Sequence, residues 1–331
     1  MNEATKDLGG GQRMVIESGV LPWPAVAVHG GAGTFKVLRE GGAQARAALE
    51  AALEVALRSG WAVLSAGGAA LEAAVEAVAA MEDSGLFNAG RGSVPTTAGA
   101  VETDAGVMDG ATGRAGGVCA LSWPANPVRA ALAVARLTGD PVPILLAGAG
   151  GDELAKTEGL AGMLVDARGA EASAAGTGAS AAGTGGGTGG GEVAGGRISG
   201  SGTVGAVAID AAGHLAAATS TGGLAGQRPG RVGDSAIPGA GTWADDTTAA
   251  VSATGTGEAI LLAGLAHLVD RSLREGAGLD AAVEAALDAV LQRGGTGGAI
   301  ALSPRSEVAF AFSTPAMARG WRSGDRLSVK I

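Results

Sequence analysis

The sequence predicts an α/β (α+β) protein in which helices lie on sheets by one apolar face. Two observations carry this. Short apolar, β-favouring runs recur between glycine and Asp-Gly turns, and several longer segments repeat leucine or valine every third or fourth position with charge on another face.

In chain order, Met1 to Leu21 is polar, of mixed charge and without a long apolar run, so residues 1–24 are expected to be a loose N-terminal tail. Ala25-Val26-Ala27-Val28-His29 predicts a strand running into the glycines of Gly30 to Thr34. His29 has no second His or Cys at ligand spacing and is expected to be a hydrogen-bonded structural histidine. Leu49, Leu53 and Leu57 mark a helix over 43–58, and Leu71, Val75 and Val78 mark another over 69–82. The loop Leu86 to Ser93 is glycine-rich and sits where loops carry function. Val101–Met108 and Ala115–Leu121 predict strands joined at Asp109-Gly110, and Asn126-Pro127 opens a helix with Asn as its cap. A strand is expected at Ile144–Ala147, after which order fades into a Gly/Ala/Ser/Thr tract over 167–202 that cannot build a core.

At Gly202-Thr203 the character of the chain changes. Thr203 opens the apolar run Val204 to Ile209, which predicts a strand; after a turn, His214–Thr219 predicts the next. If the bond before Thr203 were cut, that residue would carry a free α-amine beside its own hydroxyl, a nucleophile and general base in one residue. Threonine is also an ordinary first residue of a strand, so the junction alone leaves both readings open. Further on, Ser220 to Ser235 is a polar, glycine-rich connection suited to holding a small polar ligand. Ala249–Ala253 predicts a strand ending in Thr254-Gly255-Thr256-Gly257-Glu258, at the start of a helix over 259–273 whose free N–H groups suit an anion or oxyanion. The Gly-Lys-Ser/Thr of a nucleotide loop is missing there. Another helix follows over 279–292, and Ala299–Leu302 and Val308–Phe312 close as strands.

Composition narrows the classes. With 23 Lys plus Arg against 32 Asp plus Glu, and only four Phe, five Trp and no Tyr, the chain repels phosphate backbones and offers few stacking platforms, so no nucleic-acid partner is expected. No apolar stretch is long enough to span a bilayer. The single Cys119 sits in an apolar run, is expected to be core, and fits a reducing cytoplasm.

Taken together, the motifs HGGAG (29–33), FNAGRGSV (87–94), ETDAGVMDG (102–110), GTVGAVAID (202–210), ATSTGG (218–223), RPGRVGDSAIPGAGTWADD (228–246), TGTGE (254–258) and STPAMARG (313–320) resemble plant-type L-asparaginases, also called isoaspartyl or β-aspartyl peptidases. The resemblance covers nearly all of residues 25–322. It implies the four-layer αββα sandwich of the N-terminal-nucleophile hydrolases as a single domain over 25–331. It also implies self-cleavage between Gly202 and Thr203 into an α chain (1–202) and a β chain (203–331), and a dimer of such αβ units. By motif, Thr203 matches the nucleophile and Thr221 the residue that orients it. Thr254 and Gly255 match the oxyanion hole. Arg231 matches the partner of the substrate α-carboxylate, and Asp234 that of the α-ammonium, with help from the Gly257 carbonyl. Asn88 falls near the nucleophile. The backbone carbonyls of Met81, Glu82, Ser84, Phe87, Ala89 and Arg91 match a sodium-binding loop, with no cofactor needed for catalysis. The chain departs from the pattern at Gly226-Gln227, where many relatives carry Asn-Lys, which leaves the leaving-group preference open.

The activity so implied is release of L-aspartate from L-asparagine and β-aspartyl dipeptides through a threonyl-acyl intermediate. Two alternatives stand beside it: a glycosylasparaginase, and an uncleaved, non-enzymatic interaction protein tethered by its glycine-rich tract.

Overall fold

The central strands of this chain do not alternate in burial; Val204–Ile209 is buried at every position, because both faces of its sheet are covered. The computed structural model describes residues 1–33, 42–163 and 202–331. In these, β1 (Asn2–Gly9), β2 (Gln12–Val20), β9 (Thr242–Ala244), β10 (Ala250–Gly255), β11 (Gly297–Leu302) and β12 (Glu307–Phe312) form a six-stranded sheet in the order β1-β2-β12-β11-β10-β9. The remaining strands form an eight-stranded sheet: β3 (Ala25–Gly33), β4 (Thr103–Asp109), β5 (Ala115–Leu121), β6 (Leu145–Ala147), β7 (Val204–Ile209), β8 (Leu215–Thr221), β13 (Ala316–Ser323) and β14 (Arg326–Lys330). Its order is β14-β13-β3-β7-β8-β4-β5-β6, antiparallel throughout except where β5 meets β6.

Three apolar clusters account for the packing. Helices α1 (Gly42–Ser65), α2 (Ala70–Ser84) and α3 (Pro127–Arg136) cover the outer face of the eight-stranded sheet, joined by α4 (Ala149–Thr157). Leu49, Leu53 and Leu57 of α1 are fully buried, each worth about 2 kcal/mol of transfer free energy. Helices α1 and α2 approach closely: a Cβ at Gly60 would lie 2.9 Å from the Ala73 carbonyl. Helices α5 (Gly257–Ala263), α6 (Leu265–Arg274) and α7 (Leu279–Leu291) cover the six-stranded sheet in the same way. A third cluster, including Val207, Ile209, Ile300 and Phe310, lies between the two sheets.

The structure corrects several expectations. Residues 2–20 are not a loose tail: they form a hairpin whose second strand pairs with β12, Phe312 opposite Val15 and Glu307 opposite Val20. Met14 and Ile16 are buried under the helices, while Val15 packs on the opposite face and Glu17 beside it is buried by pairing, so β2 carries a charged residue where a buried strand would read as apolar. The helix expected over 259–273 breaks at Gly264, whose φ of +63° is left-handed. Asn126 stands at the N-cap of α3 with Pro127 after it, as expected, but its side chain makes no cap hydrogen bond: its Nδ2 donates to Asp83 Oδ1 at 3.1 Å, while the Val128 N–H is satisfied by Glu82 Oε1 at 3.1 Å. The strand at Ala25–His29 continues through the glycines to Gly33, and α4, β9, β13 and β14 had no sequence counterpart. The glycine-rich tract falls outside the described residues up to position 201. Among the described residues, no helix is long and apolar enough to cross a membrane.

A buried ion cluster fastens the N-terminal hairpin. Arg319 of β13, itself buried, donates through Nη2 to Glu17 Oε1 and through Nε to Glu17 Oε2 at 3.3 Å, and Lys330 Nζ donates to Glu17 Oε1 at 2.9 Å. Burial alone would raise the Glu17 carboxyl, but hydrogen bonds from Arg319 and Lys330 outweigh it and hold the group below its ordinary value. A depressed carboxyl stabilises above its unfolded pKa, about 4.3, and loses that contribution as pH falls through the folded value. Glu17→Gln should therefore cost about 3 kcal/mol at pH 7, since it leaves Arg319 buried without its counter-charge. In urea unfolding the parent should weaken on acidification below about pH 5 more steeply than the variant. An unchanged midpoint for Glu17→Gln at pH 7 would remove this cluster as the anchor.

Candidate active site

The register of the two central strands decides where the site lies. Val204 of β7 stands opposite Ser220 of β8, so Thr203 and Thr221 fall at the same end of that pair. Thr203 is buried, and Ser235 Oγ lies 3.5 Å from its Oγ1. Gly202, which precedes it, has φ +142°, and a Cβ there would sit 2.6 Å from the Gly31 Cα, so the residue before Thr203 has to be glycine.

Asn88 ties its loop to the Thr221 turn. Its Nδ2 donates to the Gly223 carbonyl at 2.7 Å, its carbonyl accepts the Gly222 N–H at 2.9 Å, and its Oδ1 accepts the Val94 N–H at 3.1 Å. Gly223 N–H in turn donates to Thr221 Oγ1 at 3.1 Å. Thr254 and Gly255 end β10. Side chains alternate along a strand, so Thr254 shares a face with Ser252. That face points at the other sheet, where a Cβ on Gly205 would come 1.9 Å from Ser252 Oγ.

Arg231, Asp234 and Gly257 converge. A Cβ built on Gly257 would lie 2.9 Å from Arg231 Nη2 and 3.1 Å from Asp234 Oδ1; one on Gly241 would lie 2.7 Å from Asp234 Oδ2. Only glycine at both positions leaves the carboxyl its room. The loop that brings Arg231 and Asp234 here is held by two acidic side chains of the β4 region, Gly230 N–H donating to Glu102 Oε2 at 2.7 Å and Gly233 N–H to Asp104 Oδ2 at 3.1 Å.

Several buried polar atoms in this region have no protein partner among the described residues: Asp234 Oδ2, Thr254 Oγ1 and Ser93 Oγ. Each costs about 1–3 kcal/mol if left unsatisfied, which marks a place built for a ligand. Burial pushes the Asp234 carboxyl up to about 7, against the pull of its own backbone N–H and of Arg231. Hydrogen bonding from Arg231, by contrast, holds Glu258 below its ordinary value. His29, as expected, is structural: it is buried, bonds Ser252 Oγ at 2.9 Å, and is pushed down to about 3 by burial, so it stays neutral. Cys119, raised by burial to about 12, is an inert core thiol.

The structure adds residues that sequence reasoning left without a role. Ser235 lies beside Thr203, Glu258 takes the Arg231 Nε at 2.9 Å, and Gln227 takes its Nη1 at 3.3 Å. Glu258 and Ser235 stood inside the quoted motifs, but nothing in a linear sequence said which way they face.

Two facing sheets thus bring buried hydroxyls, an arginine and an uncompensated carboxyl to the ends of their central strands, a site suited to a small charged molecule. Residues 22–331 match the protein family described as Asparaginase. The chain is 44% identical over 298 residues to a plant-type L-asparaginase of Pyrobaculum calidifontis, covering 89% of this chain and 96% of that one. It is 37% identical over 309 residues to an isoaspartyl peptidase/L-asparaginase of Xenopus laevis, covering 93% and 95%. An isoaspartyl peptidase of Salmonella typhimurium is 39% identical over 305 residues, covering 89% and 94%. The chain belongs to the asparaginase family, hydrolases of the N-terminal-nucleophile type. The match begins after the β1–β2 hairpin.

The uncompensated carboxyl has a measurable consequence. An acid whose folded pKa is raised destabilises the fold as pH rises from its unfolded value, about 3.9, towards the folded one. Asp234→Asn keeps the shape without the charge, so in the ligand-free protein it should melt above the parent at pH 8. The gap should shrink between pH 7 and pH 4. Melting curves of the two proteins across this range test it, and a gap independent of pH would show that Asp234 is not the titrating group.

Proposed function

We propose that this protein is an autoprocessing threonine hydrolase that frees L-aspartate from L-asparagine and from β-aspartyl dipeptides. The observation that carries the reading is the convergence of Arg231, Asp234 and Gly257, with Ser235, the residue after Asp234, 3.5 Å from Thr203 Oγ1. A guanidinium and a buried carboxyl side by side recognise the α-carboxylate and α-ammonium of a free amino acid. That leaves the side-chain amide of aspartate as the part directed at Thr203. The names of the relatives, L-asparaginase and isoaspartyl peptidase, describe the same chemistry.

In this mechanism the Thr203 hydroxyl attacks the side-chain carbonyl carbon of the substrate. The Thr203 α-amine, reference pKa about 8, accepts the hydroxyl proton and passes it to the leaving nitrogen, which departs as ammonia or as an amino acid. Water then opens the threonyl ester and releases L-aspartate. Thr254 Oγ1 and the Gly255 N–H stabilise the oxyanion in both halves, a contribution on the order of 3 kcal/mol per donor. Thr221, held by the Gly223 and Asn88 hydrogen bonds, orients the nucleophile. Maturation uses the same hydroxyl: Oγ1 attacks the Gly202 carbonyl, the C–N bond breaks and the nitrogen takes the proton, and water hydrolyses the resulting ester.

The three apolar clusters support reading the fold as the αββα sandwich of these hydrolases. We extend the proposal to a cytoplasmic dimer of αβ units, in keeping with the family resemblance and the single buried Cys119. The loop 81–91 fits a sodium ion in part. Of the proposed ligands, the Phe87 carbonyl oxygen points at Gly92, where a Cβ would come 2.0 Å from it. The Met81, Phe87 and Ala89 carbonyls already accept one hydrogen bond each, which leaves each a second lone pair. Met81, Glu82, Ser84, Phe87, Ala89 and Arg91 would hold the ion by main-chain oxygens, giving the Asn88 loop a fixed shape.

Mass spectrometry of the purified protein tests the mechanism. The parent should split before Thr203 and then release ammonia from L-asparagine; Thr203→Ser should still split, and Thr203→Ala should stay whole and inactive. A Thr203→Ala chain that splits at the same bond, or a whole parent chain that hydrolyses asparagine, would overturn it.

A further inference from the structure

Arg231 is held from two directions by the protein itself. Its Nε donates to Glu258 Oε1 at 2.9 Å and its Nη1 to Gln227 Oε1 at 3.3 Å. Gln227 is buried, and its backbone is fixed by neighbours: Gly226, with φ +71°, donates to the Pro95 carbonyl at 2.9 Å, and Thr97 N–H donates to the Gln227 carbonyl at 2.8 Å. The Gln227 Oε1 also accepts the Leu224 N–H at 2.9 Å. The carboxamide lies flat on Gly223, where a Cβ would come 2.2 Å from Oε1 and 2.6 Å from Nε2. Gly223 is the residue whose N–H bonds Thr221 Oγ1. One carboxamide therefore touches both the arginine and the turn that carries Thr221.

We propose that Gln227 is a positioning and specificity-determining residue, whose uncharged acceptor fixes the Arg231 guanidinium in the orientation that receives the substrate α-carboxylate. The inference rests on the asparagine and β-aspartyl reading above. A guanidinium has five N–H groups. Glu258 takes one and Gln227 another, which leaves three, on Nη1 and Nη2, for a ligand that needs two. Holding the arginine in advance removes the cost of ordering it when substrate binds. The neutrality of the amide matters as much as its oxygen. Glu258 is 57% exposed at its side chain, so water screens its charge, whereas a carboxylate at the buried position 227 would satisfy the guanidinium in place of the substrate.

Two variants separate these effects. Gln227→Met keeps the length and removes the acceptor; Gln227→Glu keeps the acceptor and adds the charge. Both should mature, by intact mass, and keep kcat for L-asparagine near the parent value. Gln227→Met should raise KM for L-asparagine and Kd for L-aspartate about tenfold, the effect of losing one hydrogen bond to a charged group. Gln227→Glu should raise both further, by roughly a hundredfold, because it competes with the ligand's own carboxylate. Calorimetric titration of the mature proteins with L-aspartate gives Kd without reference to turnover. A parent that binds L-aspartate yet leaves L-asparagine intact would fail the hydrolase reading alone, and the Kd series would still decide the role of Gln227. Unchanged Kd and KM in Gln227→Met, or a loss of kcat at constant KM, would overturn the proposal, as would a Gln227→Glu protein that binds L-aspartate as the parent does.

Discussion

The site depends on how closely the two sheets can meet at their polar centre. Across that seam run hydroxyls and one imidazole, all buried: His29 Nε2 with Ser252 Oγ at 2.9 Å, Ser252 Oγ with Thr219 Oγ1 at 2.7 Å, and Thr242 Oγ1 donating to Thr219 Oγ1 at 2.6 Å. His29 and Thr219 belong to the eight-stranded sheet, Thr242 and Ser252 to the six-stranded one. Apolar packing alone holds sheets about 10 Å apart with no fixed relation between individual residues. A chain of hydroxyls, each both donor and acceptor, fixes which residue faces which, because any slip leaves a buried polar group unpaired at a cost of about 1–3 kcal/mol. Gly205 supplies the space, since a side chain there would occupy the position of Ser252 Oγ. Thr203 lies two residues before Gly205 and Thr254 two residues after Ser252. The register of the seam therefore sets the relation between the threonine at the head of β7 and the one near the end of β10.

Around that fixed pair, charge is arranged so that the protein neutralises only part of what it buries. Asp104 and Glu102 each give one oxygen to the backbone of the Arg231 loop and so shape it, while the other oxygen of Asp104 accepts the Ala120 N–H. Arg231 is partly matched by the exposed Glu258. Asp234 is fully buried and has no cation on its Oδ2 among the described residues, and its carboxyl rises to about 7 in consequence. A group in that condition binds an ammonium strongly, because ligand binding supplies both the missing hydrogen bond and the missing charge. The same cost recurs at Glu82, another buried carboxyl raised by burial, to about 8. Its Oε1 accepts hydrogen bonds from Ser220 at 2.6 Å and from the Val128 N–H, joining α2, α3 and the strand that carries Thr221.

Much of this was legible in the sequence, for reasons that differ by element. The helices α1 and α2 showed themselves because leucine and valine at helical spacing bury one stripe and leave charge on the other. Thr203 stood out because the chain changes character there, and Arg231 and Asp234 were matched only through the resemblance of their motif; the structure brings those two together and shows why glycines surround them, Gly241 and Gly257 making room for Asp234, and Gly202 for Gly31. The N-terminal hairpin stayed hidden because its anchor is long-range, Glu17 meeting Arg319 and Lys330 from the far end of the chain. Strand β13 stayed hidden because its middle carries an arginine that only that partner makes tolerable. The role of Glu82 at the α3 terminus was out of reach for the same reason: sequence offered Asn126 as the adjacent cap, and the fold brought a carboxyl from another helix.

The residue before Thr203 links folding to chemistry most directly. Gly202 has a backbone conformation that a side chain would strain, and the place of its missing Cβ is filled by Gly31 of the neighbouring strand. Strand β3 can come that close only because it continues as glycine and alanine from Gly30 to Gly33, and it is held in place by its pairing with β7, His29 opposite Gly205. If the chain is cut before Thr203 as proposed, the carbonyl attacked is carried by a peptide pressed against β3, while Thr203 on its other side is already aligned by β7. On this reading the conformation that demands glycine is confined to a single residue at the boundary of an ordered strand. Breaking the Gly202–Thr203 bond would leave intact the ladder that begins at Val204, so a site assembled before cleavage could serve unchanged after it.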